Sequence, residues 1–318
     1  MQAARFELLI ALRSPDAAET PTALALGSFD GVHAGHRRVI AAAVAAAGAR
    51  QELVPTVLSF WPHPREVLAG EPRLRLDLPE EKLACLAPLG IRQLVLVPFN
   101  RSLAALSPEQ FVEQVLHRQL AAKAVAVGEN FRFGVKRSGD PACLQKLGAA
   151  RDIAVTVLPL LDDEGCRISS SRIRSALAEA DLIEAARLLQ RPYRFSGLVV
   201  QGRGLGRGLG WPTANLQVDG RKFLPKEGVY AAWASREGGS PMAAVMNLGR
   251  QPTVDPEAAS AVEVHLLGRE LQLQGERLCV EPVRWLRGQS KFPSLEALSD
   301  QIAADAAQAS ALMGVGVG

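Results

Sequence analysis

Two rhythms of apolar and polar residues divide the chain near residue 190. Before that point, short apolar runs alternate with stretches whose apolar residues recur every three to four positions. Strands are predicted over 22–26, 53–60, 92–97, 123–127 and 153–158, and helices over 35–47, 80–88, 108–121, 141–148 and 171–180. This strand–helix cadence specifies a parallel sheet with helices on both faces, a Rossmann-like α/β domain whose ligand crevice lies at the carboxyl ends of the strands. From Tyr193 onward the segments 194–201, 229–234, 242–247, 262–267 and 278–285 are short and marked off by glycine or proline, which predicts a small antiparallel β-barrel. A terminal helix is expected over 294–312 with Ser294 as its N-cap, followed by a glycine-rich tail that should fray. The natural division is into residues 1–190 and 191–318, with Leu188–Tyr193 as the boundary and no internal repeat.

Composition narrows the class. The 318 residues are 48% apolar, with mean hydropathy +0.07, which suits two ordinary globular cores. No basic-then-apolar leader opens the chain and no apolar run approaches ~18 residues, so neither a signal peptide nor a membrane span is expected. Four cysteines without a Cys-x-x-Cys pairing fit a reducing, cytoplasmic setting and offer no local zinc cage. A net charge of +3, spread over both halves, with only 5% aromatics, argues against a nucleic-acid partner and leaves a small anion as the expected ligand.

Candidate chemistry begins at Gly27-Ser28-Phe29-Asp30-Gly31-Val32-His33-Ala34-Gly35-His36, which carries the first strand into the first helix. Backbone N–H groups and the positive end of the helix dipole converge there on any anion. His33 and His36 project from one side of a helical turn, and the glycines let the backbone approach phosphate oxygens. By spacing alone the pair could equally be a solvated helix start or half of a zinc site. Three further clusters follow strands or open a helix. Ser59 to Arg65 carries His63 and Arg65 on a proline-shaped loop. Gly128 to Gly134 carries Asn130 and Phe131, a set suited to a flat heterocycle or to an ordinary loop with one buried phenylalanine. Ser169-Ser170-Ser171-Arg172-Ile173-Arg174 supplies more hydroxyls than a helix cap needs, with two guanidiniums beside them.

In the second half, Gly202, Gly204, Gly206, Gly208 and Gly210 place five glycines in nine residues, with Arg203 and Arg207 among them. The spacing fits neither the dinucleotide fingerprint nor the P-loop. The segment ends in Pro212-Thr213-Ala214-Asn215, which sets a hydroxyl and an amide oxygen two residues apart on one face of an extended chain, an arrangement suited to hard Mg²⁺ ligation. Glu263 stands on an alternating apolar strand, where a carboxylate requires a partner or ligand. His265, two residues on, reads as a packed strand residue.

The pieces GSFDGVHAGH (27–36), FWPHPREVL (60–68), GENFRFG (128–134) and ISSSRIR (168–174) make the first half resemble the FAD synthetase (FMN adenylyltransferase) module of bifunctional bacterial riboflavin kinase/FAD synthetases. The resemblance implies a nucleotidyltransferase fold. It implies His33 and His36 on the ATP phosphates, the serine–arginine turn with Ser170, Ser171 and Arg174 closing over them, and Gly27, Phe29, Asp30, Gly31, His63, Arg65, Asn130 and Phe131 binding nucleotide or flavin. Ser28 and Trp61 depart from the usual residues.

The second half, through 202–215, 225–231, 247–253 and 262–267, resembles the riboflavin kinase module of the same enzymes. That implies Thr213 and Asn215 on the Mg-nucleotide, Gly202, Gly204, Gly206, Arg207, Gly210 and Asn247 in the binding site, and Glu263 as base for the ribityl hydroxyl. ATP, riboflavin, FMN, FAD and pyrophosphate would be the small-molecule partners, and any self-association is expected to be transient. Departures occur at Leu267-Gly268-Arg269, at Leu273-Gln274-Gly275, and after Arg287, where Gly288-Gln289-Ser290-Lys291-Phe292 lacks the usual carboxylates. Weaker riboflavin binding is therefore expected, and Gly288→Asp with Gln289→Glu is expected to strengthen it. A monofunctional adenylyltransferase with a flavin-binding barrel is the alternative.

Overall fold

The computed structural model describes residues 10–70, 74–163, 165–202, 210–249, 262–269 and 271–315. It comprises two compact units, one built from Met1–Arg73 and Asp77–Ser170, the other from Leu74–Leu76 and Ser171–Gly318.

The first unit is organised by a six-stranded sheet: β1 (Ala11–Arg13), β2 (Thr22–Leu26), β3 (Val54–Trp61), β4 (Gln93–Pro98), β5 (Ala122–Gly128) and β6 (Ala154–Leu158). All pairings are parallel, in the order β1-β4-β3-β2-β5-β6. The winding reverses between β2 and β5, so the loops leaving those two strands and β3 border the switch point where such sheets bind ligands. Both faces of the sheet are covered. Leu24 and Leu26 join a cluster with Val112, Val115 and Leu116, while Ala25 and Ala126 on the opposite face lie under Val39, Ile40 and Ala43 of α1 (Ala34–Ala49). The small side chains on that face let α1 lie close, with its N-terminus over the end of β2.

The remaining helices follow the predicted cadence with two additions and one change. The additions are the short α2 (Pro64–Ala69) and α4 (Arg101–Ala104), on either side of α3 (Pro79–Leu86). The helix expected over 108–121 is one α-turn, α5 (Pro108–Phe111), that widens into a π-helix over Val112–Gln119, still burying Val112, Val115 and Leu116. Next come α6 (Pro141–Ala149), a small antiparallel pair β7 (Asp162–Asp163) and β8 (Cys166–Arg167), and α7 (Ser170–Ala178).

In the second unit, α8 (Leu182–Leu189) was not foreseen, although Asp181 caps it through the Glu184 N–H and Leu182, Ala185, Leu188 and Leu189 are buried at helical spacing. The strands β9 (Phe195–Val200), β10 (Ala214–Gln217), β11 (Gly228–Arg236), β12 (Met242–Leu248), β13 (Val262–Leu266) and β14 (Arg277–Arg287) close into the expected antiparallel barrel, ordered β10-β13-β12-β11-β14-β9. Helix α9 (Leu295–Met313) starts at Ser294, whose side chain accepts the Ala297 N–H, and lays Ala306 and Ala309 on Val229, Ala231 and Val245. Only the first residues of the glycine-rich tail fall within the described chain. The short segment Leu74–Leu76 pairs beside residues 221–223: Arg75 donates to the Arg221 carbonyl and accepts from the Phe223 N–H, each at 2.7 Å. The fully buried Lys222 ammonium donates to the carbonyls of Leu76 and Arg194 and sits 4.7 Å from the centre of the Tyr193 ring.

Candidate active sites

In the first unit the turn between β2 and α1 is tightly held. Phe29 and Val32 adopt φ of 44° and 43°, left-handed values that cost a residue with a Cβ roughly 1–3 kcal/mol each. Their side chains are 2% and 0% exposed, so burial in the core helps offset that strain. Gly31, at φ 92°, takes a conformation open to glycine. The turn's carbonyls are secured from several sides. Ser28 accepts from Ser59 Oγ at 3.1 Å and from Lys82 Nζ at 2.8 Å, Asp30 accepts from Ser170 Oγ at 2.8 Å, and Val32 accepts from Arg37 Nε at 3.3 Å. The Asp30 carboxylate also accepts the Asp77 N–H at 3.4 Å.

His33 caps α1, its Nδ1 accepting the His36 N–H at 3.3 Å. The two imidazoles stack with centroids 3.6 Å apart and planes 16° from parallel, and the Phe29 ring meets His36 edge-on at 5.2 Å. A Cβ at Gly35 would approach the His33 ring to 3.3 Å, and one at Gly27 would approach the Phe29 ring to 3.2 Å, so both glycines leave room for the rings. Burial is the main reason His33 is held neutral, its pKa lowered to about 4 with help from Arg167 and against the opposing pull of Asp30. His36 is pushed well below its ordinary value by burial first, then by His33, Lys82 and Arg167. Because Nδ1 of neutral His33 is an acceptor, its proton resides on Nε2, where it can be donated outward. His36 Nδ1 is enclosed and has no hydrogen-bond partner among the described residues.

The other expected residues of this site divide. Ser170 joins the turn through Asp30. The loop after β3 adjoins it in the sheet, where Gly27 N–H donates to Leu58 O, yet His63 Nδ1 is engaged in capping α2 and Arg65 is exposed. After β5, Asn130 is exposed, whereas Phe131 stacks at 5.7 Å on Phe133, which is core. Ser171 is exposed; Arg172 pairs with Glu184 at 2.7 Å, and Arg174 donates to the Leu74 carbonyl at 3.2 Å and lies over Phe223, all within the second unit. Sequence reasoning passed over Lys82 and Arg167, whose charges bear on the histidines. The run Ile168–Arg174 was read from Ile168, one residue too late to include Arg167.

In the second unit the barrel's register builds a row. Asn215 on β10 lies directly opposite Glu263 on β13, which lies opposite Asn247 on β12, which lies opposite Val229 on β11. Directly opposed residues share a face. Val229 is packed under α9, so the row lies on the barrel's outer face beside that helix. Glu263 is half-buried between fully covered Val262 and Val264, as the alternating pattern predicts. Asn215 follows Thr213 by two residues in the extended lead-in to β10. Gly202 is required beside them: a Cβ there would fall 2.0 Å from Asn215 Nδ2. His265 is the packed strand residue expected, with Nδ1 2.8 Å from the Pro212 carbonyl and Trp211 edge-on at 5.2 Å. Gly210 adopts φ 79°, while Gly204, Gly206 and Arg207 lie outside the described residues.

The stretch 288–292 after β14 carries no carboxylate, and Arg287 takes its acidic partner from elsewhere: Asp305 of α9 accepts from its Nε at 3.0 Å and from its Nη2 at 2.7 Å, and Gln301 donates to the same group. Gln289 Nε2 donates to Asn247 Oδ1 at 2.7 Å and to the Leu248 carbonyl at 2.9 Å, tying this segment to the row.

A parallel sheet with stacked histidines at its switch point, together with an antiparallel barrel bearing an Asn–Glu–Asn row, is the setting of a two-module phosphorus-transfer enzyme, the class that the two matching family profiles define. A family profile described as FAD synthetase matches residues 16–172, and one described as riboflavin kinase matches residues 189–313. The chain is 38% identical to the bifunctional riboflavin kinase/FMN adenylyltransferase of Escherichia coli strain K12, covering 89% of this chain and 90% of that protein. It is 39% identical to the protein of the same name from Pseudomonas fluorescens, covering 90% and 91%. The chain belongs to the bifunctional riboflavin kinase/FMN adenylyltransferase family. A crystal structure from Streptococcus pneumoniae, titled a macrolide-efflux protein, superimposes with a TM-score of 0.79 at 30% identity over 93% of this chain and 97% of that one. Efflux is said of that protein alone; among the described residues here, no helix is long and apolar enough to cross a membrane.

Proposed function

We infer that this chain makes FMN from riboflavin and ATP in residues 191–318 and FAD from FMN and ATP in residues 1–190. Membership of the bifunctional family supports both activities over a monofunctional adenylyltransferase. The observation that carries the residue-level reading is that each matched half contains one preformed polar arrangement, the stacked histidines at the end of β2 and the Asn215–Glu263–Asn247 row.

For adenylyl transfer, a phosphate oxygen of FMN attacks the α-phosphorus of ATP, the bond to the bridging oxygen breaks, and pyrophosphate departs. His33 offers Nε2–H to phosphate oxygens, and the α1 dipole favours the anion. Arriving phosphate charge raises the proton affinity of the imidazoles, and a histidine that takes up a proton in response becomes the stronger donor to the departing pyrophosphate. Ser170 is fixed against Asp30 at the same turn. For phosphoryl transfer, Glu263 takes the proton of the ribityl hydroxyl as that oxygen attacks the γ-phosphorus, the bond to the β,γ-bridging oxygen breaks and ADP departs, and Asn247 on the adjacent strand orients Glu263. Neither step needs a covalent enzyme intermediate.

Mg²⁺ fits the second site: Thr213 and Asn215 offer hard oxygens, and the bare Cα of Gly202 keeps the Asn215 amide in place. Bound with ATP, the ion would neutralise phosphate charge. Cytoplasmic residence follows from the substrates the family uses.

The test is chromatographic separation of riboflavin, FMN and FAD after incubation with Mg-ATP. Wild type should form both products. His33→Ala and His36→Ala should lose FAD formation by of order 10²–10³ while still making FMN. Glu263→Gln should make FAD from added FMN but no FMN from riboflavin. Near-wild-type FAD synthesis in the histidine variants, or FMN formation by Glu263→Gln, refutes these assignments.

A further inference from the structure

We propose that Lys82 is a positioning residue for adenylyl transfer, holding the Ser28 carbonyl so that the turn carrying His33 and His36 keeps its phosphate-binding shape. The inference rests on the reading of that turn as the ATP-phosphate site and adds a residue that lies in none of its motifs.

The geometry is specific. Lys82 is in the middle of α3, 8% exposed, although ammonium groups rarely leave water without a compensating partner. Its Nζ reaches back across 54 residues of sequence to the Ser28 carbonyl at 2.8 Å. Ser59 Oγ approaches the same carbonyl at 3.1 Å, so β3 and α3 both supply it with a donor. That peptide immediately precedes Phe29, the first of the two left-handed non-glycine residues in the turn. A charge-assisted hydrogen bond is stronger than the neutral one from Ser59, and it fixes the peptide plane from which the turn departs. Release of that carbonyl would let Phe29 relax toward ordinary φ, and the Phe29 ring is what meets His36 edge-on.

The ammonium also acts through space. Among the described residues, the charged and titratable groups bearing on His36 are His33, Lys82 on α3 and Arg167 on β8, and those bearing on His33 are Arg167 and Asp30 in the turn. Lys82 and Arg167 both favour neutral His36, so an arriving triphosphate meets a positive field already in position.

Three variants separate the two effects. Lys82→Met removes donor and charge, Lys82→Gln keeps an N–H donor without charge, and Lys82→Arg keeps both with altered reach. Conversion of FMN to FAD is measured as kcat and KM, with FMN formation from riboflavin in the same samples as a control. Proton NMR titration follows the ring signals of the chain's five histidines. Lys82→Met should lower kcat for FAD formation by of order 10–100-fold with a smaller change in the KM for FMN. Its His36 should titrate at higher pH than in wild type, and Lys82→Arg should restore both properties in large part.

Unchanged kcat in Lys82→Met and Lys82→Gln overturns the proposal, as does a lower kcat with unchanged His36 titration in both. If Lys82→Met does not fold, Lys82→Gln against Lys82→Arg decides: a higher His36 midpoint in Lys82→Gln supports the proposal, and identical titration and kcat refute it. Retention of full FAD synthesis by His33→Ala would instead refute the site reading itself, which keeps the two failures distinct.

Discussion

Removing the carboxylate of Asp305 should loosen the barrel and, through it, the kinase site. Asp305 lies on α9 with its side chain 5% exposed, paired with an Arg287 side chain that is 22% exposed. Truncating one partner of a buried ion pair costs about 3–5 kcal/mol because the other charge is stranded. Arg287 retains some access to water and its bond to the Gly288 carbonyl, so a loss of about 2–3 kcal/mol is expected for Asp305→Ala. Asp305→Asn, which keeps one acceptor oxygen, should lose less. Urea unfolding followed by tryptophan fluorescence reports this directly, since Trp211, Trp233 and Trp285 all belong to the second unit. With an m-value of roughly 2 kcal/mol/M, the midpoint should fall by about 1 M or more. The same variant should raise the KM for riboflavin, because Arg287 leads directly into Gly288 and Gln289, and Gln289 holds Asn247. FAD synthesis from FMN should be spared. An unfolding midpoint displaced by less than about 0.25 M would show that the pair carries no structural load, and an unchanged KM would show that α9 does not support the row.

Gln289→Glu should raise the riboflavin KM by about tenfold, opposite to the effect expected from sequence, because a carboxylate would face the Asn247 and Leu248 oxygens that the amide now donates to. A lowered KM would refute that hydrogen-bond assignment. Gly202→Ala should cut FMN formation by tenfold or more while sparing FAD formation, since the added methyl would displace the Asn215 amide; normal riboflavin phosphorylation would refute the role given to Asn215. Stability of the first unit should fall with acid: neutral His33, with its pKa lowered to about 4 from 6.5, binds fewer protons folded than unfolded, so its contribution is complete above the unfolded value and lost as pH drops toward 4. From pH 7 to 5 this amounts to roughly 2 kcal/mol, read by urea unfolding with Trp61 as reporter, and a flat profile would refute the buried neutral state.

The elements legible in the sequence were those with a strong period. Ala23 to Leu26 is unbroken and buried on both faces, and Val262 to Leu266 alternates cleanly, so both were placed correctly. Strand β10 was anticipated only as an extended segment, since Gly210 and Pro212 immediately before it carry turn signals. The juxtaposition that was legible lies within a local motif: His33 and His36, three positions apart, stack at the start of α1. The contacts of Lys82, Gln289 and Asp305 were not legible because their partners are 54, 42 and 18 residues away, and nothing in the local pattern distinguishes those contacts from those of solvated surface groups. The partner of Arg174 was likewise beyond local reading, since its guanidinium donates to the Leu74 carbonyl 100 residues away.

The placement of Leu74–Leu76 has a hereditary consequence. Because these residues belong to the second unit while their flanks belong to the first, the backbone passes between the units three times. No single gene break can therefore yield two whole units. A fragment beginning at Ser171 would leave Lys222 without the Leu76 carbonyl, and Arg221 and Phe223 without Arg75. Fission, shuffling or loss of either half would first have to mend that gap, so the interleaved chain favours inheritance of the two activities together and their synthesis in equal numbers.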